Sequence, residues 1–351
     1  MAVTDEVLQI LQAARQALVE LTDQQVIALT TAWVDSWDGF STELQDAVDQ
    51  LVDAAQDGRV TARMVQRADR LQAALVTAQA EAERLQALSE ESTTALADQA
   101  ARMGANAASQ AITAQLPPAL AGDRWVPLNE DALAAVVART TQQIHASSIP
   151  LSADMVQAMR AELRNGITVG DNPRPVGRRM MRRLEGNFNG GLVRATRIAR
   201  TELLDAFRAA DLQAAQTNRS LLTGWVWLCA LDSRSCPACV AMHGTEHPLD
   251  EFGPNGHQQC RCVRIDKTKT WAELGFTGIE DDPLDLSAER DEWFDGLTDD
   301  SQRRILGPGR YDLFKDGRIG WGDLATTRRT PEWRDSIVTA PLKDLQAKTG
   351  G

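Results

Sequence analysis

Apolar residues recur three and four apart from the beginning of the chain. Leu8, Leu11, Leu18 and Leu21 follow Thr4, and Asp5 and Glu6 sit where the positive end of a helix macrodipole favours acids. The same spacing predicts a second helix, capped by Asp23 and carrying Ile27, Trp33, Val34 and Trp37. A third runs from about Thr42 through Leu44, Val48, Leu51 and Val52 to the Asp57-Gly58 stop. Between Thr61 and Leu116 only Gly104 interrupts, which predicts one long helix over about 61–116, ended by Pro117-Pro118. Positions 71, 75, 78, 82, 85, 89, 92, 96, 99 and 103 form a heptad seam of Leu, Leu, Ala, Ala, Leu, Ser, Ser, Leu, Gln and Met. Such small seam residues suit close antiparallel packing in a helical assembly or a contact with a second copy. The plainer alternative is a helix lying on its own domain.

Residues 119–130 read as a connecting loop, followed by a helix capped by Asp131 with Leu133, Val136, Val137 and Ile144 inward and His145 as a polar surface residue. A further helix opens at Ser152, carries Met155, Met159 and Leu163 and closes at Asn165-Gly166. Asp171-Asn-Pro-Arg-Pro then starts a helix that Asn187, Gly190 and Gly191 are expected to break, with a second from about Val193 to Asn218. Gly224 to Leu231 alternates as a strand with both faces apolar, and Cys262 to Asp266 reads as its partner. After Trp271 the chain becomes acidic, with short helices and a last stretch of about twenty residues expected as an extended arm. The fold class is therefore mainly α with a small β element. It divides into a helical region 1–165, an α+β region 166–270 and a short helical extension 271–351.

At 351 residues the chain exceeds one ordinary core, and 43% hydrophobic content supplies real burial. No basic-then-apolar leader and no run of eighteen apolar residues occurs, so no signal peptide or membrane span is expected, and the chain is expected in the cytosol of its producer. Charge changes the picture more than composition does. The total is −12, yet residues 166–270 hold 10 acids and 15 bases, a net +5, between flanks of −11 and −6. Arg174, Arg178, Arg179, Arg182 and Arg183, followed by Arg194, Arg197, Arg200 and Arg208, carry that excess. Helical spacing places the first five on adjacent faces, able to grip phosphate or an acidic partner. The alternative is a solvated helix face.

Four of the five cysteines form a C-x2-C pair, Cys236 and Cys239, and a C-x-C pair, Cys260 and Cys262. Two close pairs on separate turns can bring four sulfurs to one tetrahedral point, the pattern of a structural zinc site. His257, three residues before Cys260, is an alternative fourth ligand. Two disulfides, or four reduced buried thiols, are the competing readings, and a reducing compartment favours the metal over the disulfides. Cys229 falls outside the pairing and reads as a small core residue. Ser233 and Ser235 have no nucleophile-base companion, no phosphate-cradling glycine loop occurs, and neither H-E-x-x-H nor H-x-E…P-C-x-x-C is present. The chain is thus expected not to be an enzyme. The alternative is a zinc-dependent nuclease or hydrolase in which His243, His247, Asn255 and His257 form an open metal centre.

Ala199-Arg-Thr-Glu202, Gly224-Trp-Val-Trp, Leu231-Asp-Ser-Arg-Ser-Cys-Pro-Ala-Cys239, His243-Gly-Thr245 and His257-Gln-Gln-Cys-Arg-Cys262 together resemble the phage Mu F-like (MuF) head morphogenesis domain of minor capsid proteins. The resemblance covers about residues 166–270. Ile305-Leu-Gly-Pro and Gly317-Arg-Ile-Gly-Trp-Gly-Asp-Leu324 resemble the family's C-terminal extension, and the helical first third resembles versions from phages of actinobacteria. It implies a low-copy protein inside the head, associated with the portal protein, with the major capsid protein or scaffold as further partners, and acting in head assembly or DNA packaging and delivery. The basic residues would then dock on an acidic portal surface, with weak contact to packaged DNA and none to membrane. The long helix offers a homo-oligomer contact. Where the family has a histidine-proline step before the last cysteines, this chain has His257-Gln-Gln.

Overall fold

The structure is a computed structural model that describes residues 4–54, 62–117, 126–147, 173–278, 280–281, 285–330 and 333–350. It is mainly helical, with two small sheets. In order come α1 (Asp5–Asp53), α2 (Ala62–Arg67), α3 (Asp69–Ala114), α4 (Glu130–Ser147), α5 (Pro173–Thr217), β1 (Leu222–Leu228), α6 (Pro237–Met242), β2 (Glu246–Pro248) and β3 (Val263–Thr268). The chain ends with α7 (Leu286–Asp295), α8 (Asp299–Leu306), α9 (Pro308–Lys315), β4 (Ala325–Thr330), β5 (Trp333–Thr339) and α10 (Leu342–Lys348). It packs as two compact units: Met1–Glu20 with Leu96–Thr140 and Leu203–Gly351, and Leu21–Ala95 with Thr141–Glu202. Helices α1, α3, α4 and α5 each contribute residues to both. The helix expected from Ser152 to Gly166, and the stop at Asp57-Gly58, lie outside the described residues.

In the unit made of residues 21–95 and 141–202, α1 continues as one helix of 49 residues where three short ones are expected. Asp23 does not cap a new helix but accepts a hydrogen bond from Arg200 Nη2 at 2.7 Å. Local stop signals lose because the inward stripe never pauses: Trp33, Phe40, Leu44, Val48 and Leu51 are all buried in one cluster with Leu71, Leu75, Leu85, Leu184 and Phe188. Burying such side chains yields about 1.5–3 kcal/mol each, more than a helix-breaking glycine costs. The same reason corrects the break expected at Asn187. Helix α5 runs through it, with Phe188 buried among Trp33, Trp37 and Phe40 and its carbonyl accepting from Trp33 Nε1 at 3.1 Å.

The stretch expected as one long helix is two, α2 and α3, separated at Ala68. Gln72 Nε2 bridges the break by donating to the Val65 carbonyl at 2.9 Å. The buried seam of α3 follows the expected positions through Ser89, then takes successive steps of four to Thr93 and Ala97 and continues through Ala100, Gly104, Ala107 and Ala111. Three fours in a row, from Leu85 to Ala97, break the heptad alternation as a stutter does. Ser92, Leu96 and Met103 of the expected seam are therefore only half-buried, and Gln99 is exposed. The small residues of the second half serve an approach within the chain. A Cβ on Gly104 would stand 2.2 Å from the Phe207 carbonyl oxygen of α5, so only glycine admits that backbone.

The other unit holds the three-stranded antiparallel sheet in the order β2-β1-β3, with Trp225 opposite Asp266, Trp227 opposite Arg264 and Leu228 opposite Val263. Both faces of β1 are buried, as its double apolar pattern predicts. The last residues do not form an extended arm. Strand β5 pairs with β4 and α10 follows, because Leu345, Leu306, Leu313, Leu324 and Phe294 close a small core of their own. Among the described residues, no helix is long and apolar enough to cross a membrane.

Two glycines give opposite outcomes. Gly104→Ala is expected to destabilise the fold by about 1–3 kcal/mol, because the added methyl meets fixed backbone. Gly190→Ala, where nothing lies within 4 Å of the added carbon, is expected to stabilise α5 by about 0.5–1 kcal/mol. Denaturant unfolding followed by circular dichroism checks both.

Candidate metal centre

The cysteines converge because three local devices end at one place. First, the antiparallel register that sets Leu228 opposite Val263 carries Cys229 and Cys262 past the sheet end as the next facing pair. Second, Cys236 caps the N-terminus of α6, with Pro237 at the first helical position, and its Sγ accepts from the Cys239 amide at 3.4 Å. One helical turn therefore brings Cys236 and Cys239 to the same side, at a helix end that favours thiolate. Third, the loop after Gly256 turns back through Gln259, held at φ +62°, with the Cys260 amide donating to the His257 carbonyl at 3.1 Å.

The result is two triads that share Cys239: Cys236, Cys239 and His257, and Cys239, Cys260 and Cys262, each with its ligand atoms within 4.8 Å of one another. Cys239 Sγ lies 3.4 Å from His257 Nε2 and 3.7 Å from Cys260 Sγ. A tetrahedral zinc ion with bonds of about 2.3 Å to sulfur and about 2.0 Å to nitrogen has edges of about 3.5 Å (N to S) and about 3.8 Å (S to S), so both separations suit such a site. His257 Nδ1 is 2.7 Å from the Gln258 carbonyl, which turns Nε2 toward the sulfurs as outer partners of ligand imidazoles do. A Cβ on Gly256 would stand 2.3 Å from Cys260 Sγ, so the cradle tolerates no side chain there. Soft sulfurs, one imidazole and close packing fit a thiolate-loving divalent ion.

Protons are already unevenly divided over the cluster. Hydrogen bonding from Cys239, helped by His257, brings the Cys236 thiol down to about 4 against its burial. Hydrogen bonding to Cys236 raises His257 to about 9. Hydrogen bonds from Cys239 and Cys262 lower Cys260. Cys239 is raised chiefly by its bonds to Cys236, Cys260 and Cys262, and Cys262 chiefly by burial. Thiolates thus alternate with the thiols that solvate them, and a cation can take the place of the shared protons.

A buried ionic network holds the ligand loop from behind. Arg208 of α5, 1% exposed, donates to the Cys262 carbonyl from Nε at 3.1 Å and Nη2 at 2.8 Å, to the Cys260 carbonyl, and from Nη1 to Asp205 at 2.9 Å. Arg334 of β5 grips the same Asp205 with Nη2 at 2.9 and 3.0 Å and reaches Asn255 Oδ1 and, at 3.2 Å, the Gly256 carbonyl. The Ile337 amide donates to the Asn255 carbonyl at 2.7 Å. On the other side Arg261, between the last two cysteines, makes a two-pronged pair with Asp232 at 2.7 Å. That pair holds the Asp232 carboxyl well below the usual range.

Several expected residues are placed elsewhere. Arg208 is not part of a basic outer face but serves the cysteine loop. Arg182 is exposed, and the side chains of Arg174, Arg178, Arg179 and Arg183 lie outside the described residues, as does that of His145. Cys229 is not merely a small core residue. Its thiol hydrogen-bonds with that of Cys262 and donates to Ser235 Oγ at 3.5 Å, a neighbourhood visible only through strand register. His243 accepts from the Cys229 amide through Nδ1 at 3.0 Å and points Nε2 at Glu289, 3.4 Å away. His247 lies between Thr245 and Glu251 and stacks on Trp225 at 4.2 Å. Asn255 is taken by Arg334. Among the described residues, only His257 of that proposed open centre joins a group able to hold a metal.

Residues 157–265 match the model of a family described as Phage Mu protein F like protein. The span includes α5, β1, α6 and all the cysteines, so the resemblance drawn from the motifs holds for this part of the chain. Comparison with curated proteins and with solved structures found no match.

Arg208→Met leaves Asp205 half-paired and two buried carbonyls without their donor. It is expected to cost about 3–5 kcal/mol in unfolding free energy, whereas Arg329→Met, on an exposed pair with Asp335, is expected to change it by less than about 1 kcal/mol. Urea titration of the two variants beside the parent makes the comparison.

Proposed function

From the membership of residues 157–265 in this phage head morphogenesis family, we propose that the chain is a minor capsid protein lying inside the head at the portal vertex. It acts there in procapsid assembly or in DNA packaging and delivery. The observation that carries this reading is the coincidence of the family span with the complete cysteine cluster and the helix that braces it. The virion is then its final location, and the portal protein its first partner, with the major capsid protein or scaffold as further contacts. The resemblance of the helical first third to versions from phages of actinobacteria supports an origin in such a phage. Exposed Arg182 and the neighbouring arginines of α5 suit an acidic partner surface, while a net charge of −12 keeps contact with packaged DNA weak.

The metal in this reading is zinc, held among Cys236, Cys239, His257, Cys260 and Cys262. When bound it supplies a cross-link between α6 and the ligand loop, not a reaction centre. Catalytic zinc keeps a position open to water. Here Cys239, Cys260 and Cys262 are buried, and the loop carbonyls are sealed by Arg208. On this reading the protein acts as a structural component rather than as an enzyme.

Two measurements test this. Elemental analysis of the purified chain is expected to find one tightly held zinc, lost together with the fold of the sheet in Cys236→Ser. Metal-free protein with an intact fold would refute the cross-link. Quantitative mass spectrometry of procapsids and mature particles, with chemical cross-linking, is expected to find the chain at low copy and joined to the portal protein. Its absence from both particles would overturn the capsid role.

A further inference from the structure

In the unit built from residues 21–95 and 141–202, a groove of about 590 Å³ opens where the end of α1 meets α2 and the start of α3. Its floor is apolar: Leu51 and Leu71 are buried and Met64 half-buried. Its rim carries Arg63, Arg67 and Arg70, all exposed, whose side chains make no hydrogen bond or ion pair among the described residues. Among the described residues of the lining Asp69 is the lone carboxylate, which leaves those residues a net charge of +2. Three uncompensated guanidiniums around an apolar floor select an occupant that presents apolar side chains flanked by acids. Nucleic acid satisfies the charge but offers a phosphate backbone nothing to place on the floor.

The same unit displays such a surface. Ile27 is 65% and Val34 51% exposed, the largest apolar exposures on α1, and their spacing of seven puts them on one stripe with Thr31 and Asp38. Asp35 and Asp38 are exposed beside them and enter no ion pair among the described residues, a net charge of −2 against the +2 of the described groove lining. Val34 and Leu51 are separated by about 25 Å along a continuous helix, so a chain cannot seat this ridge in its own groove. We propose that the groove takes the Ile27 and Val34 ridge of a second copy of this chain. Because groove and ridge are different surfaces, the contact is head-to-tail, and its repetition gives a closed ring or an open filament rather than a two-fold dimer.

The test uses the full chain in analytical ultracentrifugation over a range of concentration and salt. One variant destroys the groove (Arg63→Glu, Arg67→Glu, Arg70→Glu) and another the ridge (Ile27→Asp, Val34→Asp). All the altered side chains are exposed, apart from being contacts of the proposed interface, and circular dichroism verifies the fold. The parent is expected to self-associate, less so at high salt. Each variant alone is expected to associate at least about 100-fold more weakly. An equimolar mixture of the two is expected to stop at a 1:1 pair, because one variant keeps the ridge and the other the groove. A parent that stays monomeric at every concentration, or variants that associate as it does, would overturn the proposal. Binding of duplex DNA by a monomeric parent, lost in the groove variant, would overturn it and give the groove to nucleic acid.

Discussion

The cysteine cluster depends on one buried guanidinium. Arg208 reaches from the middle of α5 to the carbonyls of Cys260 and Cys262, and Asp205, one turn earlier, keeps its charge balanced. A buried arginine without a carboxylate would be prohibitively costly, and a loop rich in carbonyls without a donor would not stay closed. Arg334 completes the arrangement from the far end of the sequence by sharing Asp205 and bonding the loop before His257. The loop that carries Cys260 and Cys262 is thus fixed by groups outside the cysteine cluster. Residues 333–339, at first sight remote from the cysteines, belong to the same construction.

Close helix approach is the second constraint. The buried positions of α3 include Leu71, Leu75 and Leu85 in the cluster with Trp33, Phe40 and Phe188, whereas beyond Ser89 the small Ala97, Ala100, Gly104 and Ala107 line up. The stutter at Ser89 lets one continuous helix change the face that it buries. Its first half is filled by leucines and its second by backbone, since Gly104 receives the Phe207 carbonyl.

The histidines illustrate how proximity in sequence misleads about chemistry. His243 and His247 flank the turn after α6, yet one is spent on a backbone amide and the other on a threonine, a glutamate and a tryptophan face. Among the described residues only His257 turns its Nε2 to the sulfurs. The cluster itself is dominated by cysteine, packed with Trp225 and Trp227 and held by arginines.

By itself the sequence determined the class of the fold, the double apolar pattern of β1, the paired spacing of the candidate ligand cysteines and the resemblance of the middle of the chain to the phage Mu F-like family. These follow from local rules, in which periodicity selects the element and C-x2-C on a capped turn selects the ligand geometry. Only the tertiary structure decided that α1 and α5 run unbroken, because glycine and asparagine cost little beside a continuous buried stripe. The inward turn of Arg208, the pairing of Cys229 with Cys262 and the bracing by Arg334 were likewise illegible, since each joins residues that only strand register or helix packing brings together. Local propensity acts over a few residues, whereas burial and charge balance are settled by whatever the fold places next to them.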